Sequence, residues 1–176
     1  MSAPAVDPDP QPATIHLGLG TNLGDREANL ARTAAALATI EGLELERCSA
    51  VYDSAPIGPE QPRYLNAVIE ARCSLAPVTL LAKLQALEKK LGRQPGPRWG
   101  PRAIDVGILL WGEFIVAEPL LQVPHLALHQ RGFALAPLCE LAPRARHPVL
   151  NQTIQELLAL LPEQDLQRVA PFPGGW

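Results

Sequence analysis

The chain has 176 residues, which is enough for one domain with a substantial buried core. Hydrophobic residues make up 47% and charged residues 19%, as in an ordinary globular protein, and the formal net charge of −3 argues against a general nucleic-acid binder. No apolar stretch is long enough to span a bilayer, and the N-terminus lacks the basic and apolar regions of a signal peptide. We therefore expect a cytoplasmic protein that does not act at a membrane.

The three cysteines, Cys48, Cys73 and Cys139, are scattered and form no C-x-x-C pair. An odd count without metal-ligand spacing indicates reduced thiols that pack as small hydrophobic residues. Residues 1–12 contain four prolines and two acidic residues. We expect residues 1–13 to be a disordered, proline-rich tail and residues 14–176 to form a single domain.

The first half of the domain alternates strands and helices. We predict a strand at 14–20, a helix at 26–40 and strands at 43–52 and 65–73, with a Pro-Gly loop at 54–64 before the last of these. Gly18, Gly20 and Gly24 nearly match a dinucleotide fingerprint, but the last gap is one residue too long. The alternative is a glycine turn in which Asp25 caps the next helix.

The second half begins with a helix that opens at Pro77, buries a row of leucines and closes at Gly92. A buried strand follows at 104–111, then a short pair at 114–116 and 121–123, and a proline-broken helical region at 124–141. Thr153 and Glu156 form a capping box for a last helix, which stops at Pro162 and precedes an edge strand at 167–170. The leading order β-α-β-β-α-β predicts a ferredoxin-like α+β fold, an antiparallel sheet with helices on one face and extra C-terminal elements.

The basic loop before residue 104 suggests a phosphate site. Arg98 and Arg102 can grip phosphate oxygens bidentately, and Trp99 lies between them. Asp105 lies at the mouth of the strand, where it suits Mg²⁺ held jointly with substrate phosphates. The alternative is a surface loop with an Arg–Asp ion pair and a packed Trp.

Two aromatic residues and an amide form a second candidate group. Tyr64 and Phe133 could sandwich a flat heterocycle while Asn66 offers a donor and an acceptor to its edge. The alternative, which the residues taken alone favour, is two core aromatics and a turn asparagine. Glu88 and Arg93 flank the end of a helix, where a solvated acid and a favourable helix-end cation are the simpler interpretations.

The order of the motifs resembles that of the 6-hydroxymethyl-7,8-dihydropterin pyrophosphokinase family. The resemblance extends from about residue 14 to about residue 160. The motifs are LGLGTNLG at 17–24, YLNAV at 64–68, Glu88 followed by LGR at 91–93, RWGPRAID at 98–105, VPH at 123–125 and QRGFALAPL at 130–138.

This resemblance implies ATP as co-substrate, two Mg²⁺ ions and a transfer in which the pterin hydroxyl attacks the β-phosphorus and AMP leaves. It also implies small-molecule partners only, no nucleic acid, and a monomer. The implied pterin residues are Ser54, Ala55, Ile57, Tyr64, Asn66 and Phe133. The implied ATP residues are Gln85, Glu88, Arg98, Trp99, Ile108, His125 and Arg131. The implied catalytic residues are Arg93, Arg102 and Asp105, of which Asp105 is also the metal ligand.

The chain departs from the family pattern at three positions. Gly107 replaces a second aspartate that would share a strand face with Asp105, so the second metal site is expected to be weakened. Leu126 follows the histidine where the family usually has tyrosine, and Leu120 replaces an arginine. The pterin residues are intact, so the sequence predicts either an active or impaired pyrophosphokinase or a non-catalytic relative that binds pterin or nucleotide.

Overall fold

The computed structural model describes residues 11–175, so most of the predicted tail lies outside the described residues. Among these residues, no helix is long and apolar enough to cross a membrane. The helices are α1 (Arg26–Leu37), α2 (Pro77–Lys90), α3 (Gly132–Leu141) and α4 (Ile154–Leu160), with a 3₁₀ turn at Leu128–Gln130. The strands are β1 (Ala13–Thr21), β2 (Leu43–Cys48), β3 (Val51–Ser54), β4 (Tyr64–Cys73), β5 (Asp105–Trp111), β6 (Val116–Glu118), β7 (Leu121–Val123), β8 (Arg146–His147), β9 (Gln152–Thr153) and β10 (Leu166–Ala170).

One antiparallel sheet dominates the molecule. Its strand order is β10-β3-β4-β1-β5, and β2 pairs with the far half of β4. Counting β2 and β3 together, the central strands and the first two helices have the ferredoxin-like arrangement, so the predicted α+β fold is confirmed. The predicted edge strand is also present, because β10 pairs with β3 at the margin of the sheet.

The single strand predicted at 43–52 is wrong, because the chain breaks between β2 and β3. Cys48 faces Ile69 and Tyr52 faces Asn66, so the register with β4 slips by one residue across the break. The Ser49 hydroxyl accepts a hydrogen bond from the Val68 amide at 2.9 Å, which satisfies a backbone group at the slip. Such a bulge depends on the partner strand and leaves no mark in the alternation of residues.

Other boundaries also differ from the prediction. Helix α1 ends at Leu37 and not at residue 40, and the first strand of the short pair begins at Val116. The predicted caps are present: Asp25 accepts from the Ala28 amide at 3.0 Å. Thr153 and Glu156 form both bonds of the capping box.

Hydrophobic cores lie on both faces of the sheet. Helices α1 and α2 cover one face with buried leucines such as Leu30 and Leu84. Helices α3 and α4 pack on the opposite face, against Val68 and Leu109. The prediction of helices on one face is therefore incomplete, because α3 and α4 form a second layer on the other face. This second layer leaves part of that face uncovered.

A buried polar network lies on this second face, near the start of β1. The Nε2 atom of His16 lies 2.8 Å from Glu70, whose other oxygen accepts from Arg47 at 2.8 Å. Burial lowers the pKa of His16 below its ordinary value of 6.5 despite the nearby carboxylate. Burial opposes ionisation of Glu70, but hydrogen bonds from Arg47 and His16 hold its pKa below the ordinary value.

We predict that His16 makes the protein less stable as the pH falls below about 6.5. The folded chain keeps His16 neutral, whereas the unfolded chain takes up a proton, so the free energy of unfolding decreases as the pH falls towards the lowered pKa. Urea denaturation of the parent and of His16→Gln between pH 7.5 and 5.5 measures this. As the pH falls, the free energy of unfolding of the parent should decrease more than that of His16→Gln. An equal decrease in the two proteins would contradict the prediction.

Candidate active site

A cavity of about 770 Å³ opens beside α3 on the second face of the sheet. Its floor is nearly free of side chains, because Gly18 and Gly20 of β1 and Gly107 of β5 line it. Gly18 pairs with Gly107, and Gly20 pairs with Asp105. The first two glycines lie inside a strand, so they do not form a dinucleotide-binding turn.

One wall of the cavity carries the predicted amide and aromatic groups. Asn66 is 4% exposed and donates through Nδ2 to the Ser54 hydroxyl at 2.8 Å. Tyr64 donates its hydroxyl to the Gly100 carbonyl at 3.1 Å, and burial raises its pKa. These hydrogen bonds fix both side chains, so the slot is formed before any ligand arrives.

Cationic and aromatic groups alternate in another part of the lining. The guanidinium of Arg131 lies 5.4 Å from the Trp99 ring centre and 5.6 Å from that of Phe133. Arg98 lies 5.2 Å from the same Trp99 ring. These distances lie within the range of cation–π attraction, about 6 Å from the ring centre. This part of the lining can therefore accept both a flat ring and an anionic group.

The basic loop that carries Trp99 is anchored by polar residues from elsewhere in the chain. Buried Asn22 accepts from the Arg102 amide at 2.8 Å and donates to the Pro62 carbonyl at 2.8 Å. Gln61 donates to the Trp99 carbonyl at 2.6 Å. Trp99 itself has φ of 66°, a left-handed conformation that non-glycine residues seldom adopt. The two site loops are thus tied to each other and to the end of β1.

Asp105 is the only acidic residue among the described residues that line the cavity. Its carboxylate lies 3.1 Å from Arg93 and 3.1 Å from Arg102, and its side chain is 51% exposed. Arg93 also pairs with Glu88, which is only 3% exposed and accepts from the Val106 amide at 2.7 Å. Burial raises the pKa of Glu88, although that amide and Arg93 both favour the carboxylate. Glu88 therefore orients Arg93 through the ion pair and the start of β5 through the Val106 amide.

His125 faces the cavity as a neutral side chain. Its Nδ1 accepts from the Ala127 amide at 3.2 Å, which leaves Nε2 as the protonated nitrogen. Burial lowers its pKa, and the positive charge of Arg131 lowers it further. It can donate one hydrogen bond to an anionic ligand without carrying a charge.

The structure brings most of the predicted site residues to this one cavity. The lining contains Ser54, Ala55, Ile57, Tyr64, Asn66, Arg98, Trp99, Arg102, Asp105, Ile108, His125, Arg131 and Phe133. Glu88 and Arg93 lie behind the lining and reach it through Asp105. Gln85 is exposed on α2 and is not part of the lining. The interpretation of Glu88 as a solvated helical residue is wrong, since the start of β5 covers it.

Sequence reasoning missed two uncharged residues that hold the site loops in place. Asn22 and Gln61 form anchoring hydrogen bonds to residues about 40 and 80 positions away, which no local pattern reveals. Leu120 and Leu126 line the opening and are 85% and 72% exposed. The sequence analysis had named both only as departures from the family pattern, and the structure adds that they line the cavity as exposed apolar residues.

Comparison with known proteins agrees with the geometry. The sequence model of the family described as 7,8-dihydro-6-hydroxymethylpterin-pyrophosphokinase (HPPK) matches residues 16–143. A 2-amino-4-hydroxy-6-hydroxymethyldihydropteridine pyrophosphokinase of Aquifex aeolicus is 41% identical over 145 residues, which cover 82% of this chain and 89% of the relative. The protein of the same name from Synechocystis is 38% identical over 169 residues, with 94% and 87% covered.

The fold has solved counterparts as well. A crystal structure of Plasmodium falciparum HPPK-DHPS superimposes with a TM-score of 0.68 at 14% identity, over 87% of this chain. The chain spans 46% of that longer protein, and the likeness concerns the fold alone. Together with the sequence matches, these findings define a class of ferredoxin-like pyrophosphokinases. The chain belongs to the 7,8-dihydro-6-hydroxymethylpterin-pyrophosphokinase family.

Proposed function

We propose that this protein transfers a diphosphate group from ATP to the hydroxymethyl group of 6-hydroxymethyl-7,8-dihydropterin and releases AMP, as a step of folate biosynthesis. The observation that carries the proposal is that one cavity holds both an aromatic slot with a buried amide and a group of guanidinium ions. The first suits a flat pterin and the second suits a polyphosphate. Family membership supports the same reaction.

The pterin is bound between Tyr64 and Phe133, with Asn66 on its ring edge. An amide side chain supplies a donor and an acceptor, which matches the alternating nitrogens and carbonyl of a pterin edge. Ser54 accepts one hydrogen from the Asn66 amide group and so fixes its orientation. In this proposal the hydroxymethyl group points towards the arginines of the same cavity.

The phosphates of ATP lie among the arginines. The pterin hydroxyl oxygen attacks the β-phosphorus, the bond from that phosphorus to the α-phosphate oxygen breaks, and AMP leaves. Such a transfer depends on alignment and on neutralising charge on the phosphate oxygens. Arg93 and Arg102 are held within 3.1 Å of Asp105 and are therefore fixed before substrate binds.

Magnesium fits this site incompletely. Asp105 can hold one Mg²⁺ together with phosphate oxygens, and that ion would neutralise phosphate charge. A second ion lacks a bridging carboxylate, because Gly107 occupies the position two residues along the same strand face. No cluster of three or more metal-ligating side chains occurs within residues 11–175. We propose that Asp105 and the ATP phosphates hold one Mg²⁺ and that a second Mg²⁺ binds more weakly. A non-catalytic pterin- or nucleotide-binding relative is the second candidate, because Gly107 removes a carboxylate that the family resemblance implies.

The deciding experiment is AMP formation from ATP, Mg²⁺ and the hydroxymethyl pterin, with the omission of pterin as the control. Pterin-dependent AMP release supports the enzyme. If calorimetry shows pterin binding but no AMP is released at any Mg²⁺ concentration, the protein is the non-catalytic candidate and the proposed activity is wrong. We further propose a cytoplasmic monomer whose partners are small molecules, which sedimentation of the purified chain and cell fractionation would test.

Replacing Asn66 tests the pterin slot. Asn66→Ala removes the edge hydrogen bonds and should weaken pterin binding by about 1–3 kcal/mol, measured by titration calorimetry. Affinity for an ATP analogue should not change, because the amide lies on the pterin side. If pterin affinity is unchanged while circular dichroism shows an intact fold, the proposed slot is wrong.

Replacing Arg93 or Arg102 tests the phosphate assignment. Either Arg→Ala change should lower kcat by about tenfold or more while pterin affinity is kept, because the interaction is strongest in the transition state. Arg72→Ala is the matched control, since Arg72 is an exposed arginine of β4 that does not line the cavity. Parental turnover in both site variants at saturating ATP would refute the assignment.

Gly107→Asp tests the missing carboxylate. A Cβ at this position meets no atom within 4 Å, so the side chain can enter the cavity without displacing the sheet. We expect a higher kcat and a lower Mg²⁺ concentration for half-maximal rate, because the new carboxylate shares a strand face with Asp105. Gly107→Asn has the same size without the charge and serves as the control. A folded Gly107→Asp protein that gains neither property would show that the chain compensates in another way.

A further inference from the structure

The segment that joins α4 to β10 contacts three elements that border the cavity, although it contributes no residue to the lining. This segment covers residues 161–165, and its contacts are made by Gln164 and Asp165. It lies beyond the residues matched by the family model. The contacts reach the end of β3, the start of β4 and the start of α3. Each of these elements carries residues of the proposed pterin slot.

Gln164 caps helix α3. The first amide groups of a helix have no partner within the helix, and the N-cap residue Arg131 supplies no side-chain acceptor. Instead, Oε1 of Gln164 accepts from the Gly132 amide at 2.9 Å. A Cβ at residue 132 would collide with the Gln164 side chain, so glycine is required for this close approach. The next residue, Phe133, is one wall of the slot.

Asp165 contacts the other two elements, at the end of β3 and just before β4. Its carboxylate accepts two hydrogen bonds from Arg63, at 2.7 and 2.9 Å, immediately before Tyr64. Its backbone carbonyl accepts from the Ala55 amide at 3.1 Å, immediately after Ser54. Arg63 also pairs with Asp53 of β3, so both strands are joined to the same carboxylate network.

We propose that Gln164 and Asp165 are positioning residues that set the separation of Phe133 from Tyr64 and thereby determine affinity for the pterin. The inference rests on the proposed function, because it takes the pterin as the ligand of the slot. Two adjacent residues fix the two aromatic walls relative to each other. Releasing Gln164 frees the first turn of α3, whereas the strand-borne wall stays in place.

The test compares Gln164→Ala with Gln164→Glu, using Glu163→Ala as a control in the exposed neighbouring residue. Loss of the acceptor should raise the dissociation constant for the pterin about three- to tenfold, as expected for one lost hydrogen bond. The glutamate variant keeps an acceptor at a helix N-terminus, where negative charge is favourable, and should restore affinity to within about twofold. The constant for an ATP analogue, measured without pterin, should change less than the constant for the pterin, because Arg131 is the one proposed ATP residue that adjoins this cap.

Amide hydrogen exchange provides a readout that needs no ligand. Gly132 should exchange faster in Gln164→Ala than in the parent and in Gln164→Glu, while Ala55 keeps its protection because Asp165 is intact. Equal pterin affinity in parent and Gln164→Ala, or an equal loss for pterin and ATP analogue, would overturn the inference. A parent protein that binds no pterin at all would instead overturn the proposed function, so the two failures are distinguishable.

Discussion

The cavity depends on the absence of side chains where β1 and β5 pair. Gly18 lies opposite Gly107, and a Cβ at Gly18 would approach the Leu109 side chain to 3.2 Å. A Cβ at Gly20 would stand 3.5 Å from the Asn66 amide oxygen, in the space that a ligand needs. Sheet glycines usually weaken a strand, and here buried neighbours on the other face compensate for that loss. The helices of the second layer then cover only the part of the sheet beyond these glycines.

The cavity lining contains a cationic group of residues and an uncharged group. Three arginines and one carboxylate line it within the described residues, and a fourth arginine lies directly behind that carboxylate. The excess of positive charge suits a polyphosphate that arrives with a single divalent ion. In the uncharged group, hydrogen bonds within the protein occupy Tyr64 and orient Asn66, and Arg131 reaches this group through its contact with the Phe133 ring. A substrate pair with one charged and one aromatic member matches this division.

Local chemistry made much of the fold predictable from the sequence. Asp25, Thr153 and the leucines of α2 act within a few residues of their own position, and caps and apolar periodicity record them directly. The family motifs named most of the residues that line the cavity. The slip between β2 and β3, the burial of Glu88 and the contacts of Gln164 depend on segments distant in sequence. Their residue types alone are compatible with several environments, so pattern reasoning could not choose among them.

The empty space above Gly107 has a consequence for the design of inhibitors. A small apolar substituent directed at that point would occupy free volume in this protein, since no atom lies within 4 Å of a Cβ there. Where the family pattern described in the sequence analysis has aspartate, the same substituent would meet an ionised carboxylate, and burying that charge against an apolar group is costly. One missing side chain therefore gives a route to compounds that discriminate this enzyme from proteins with that pattern by shape and solvation.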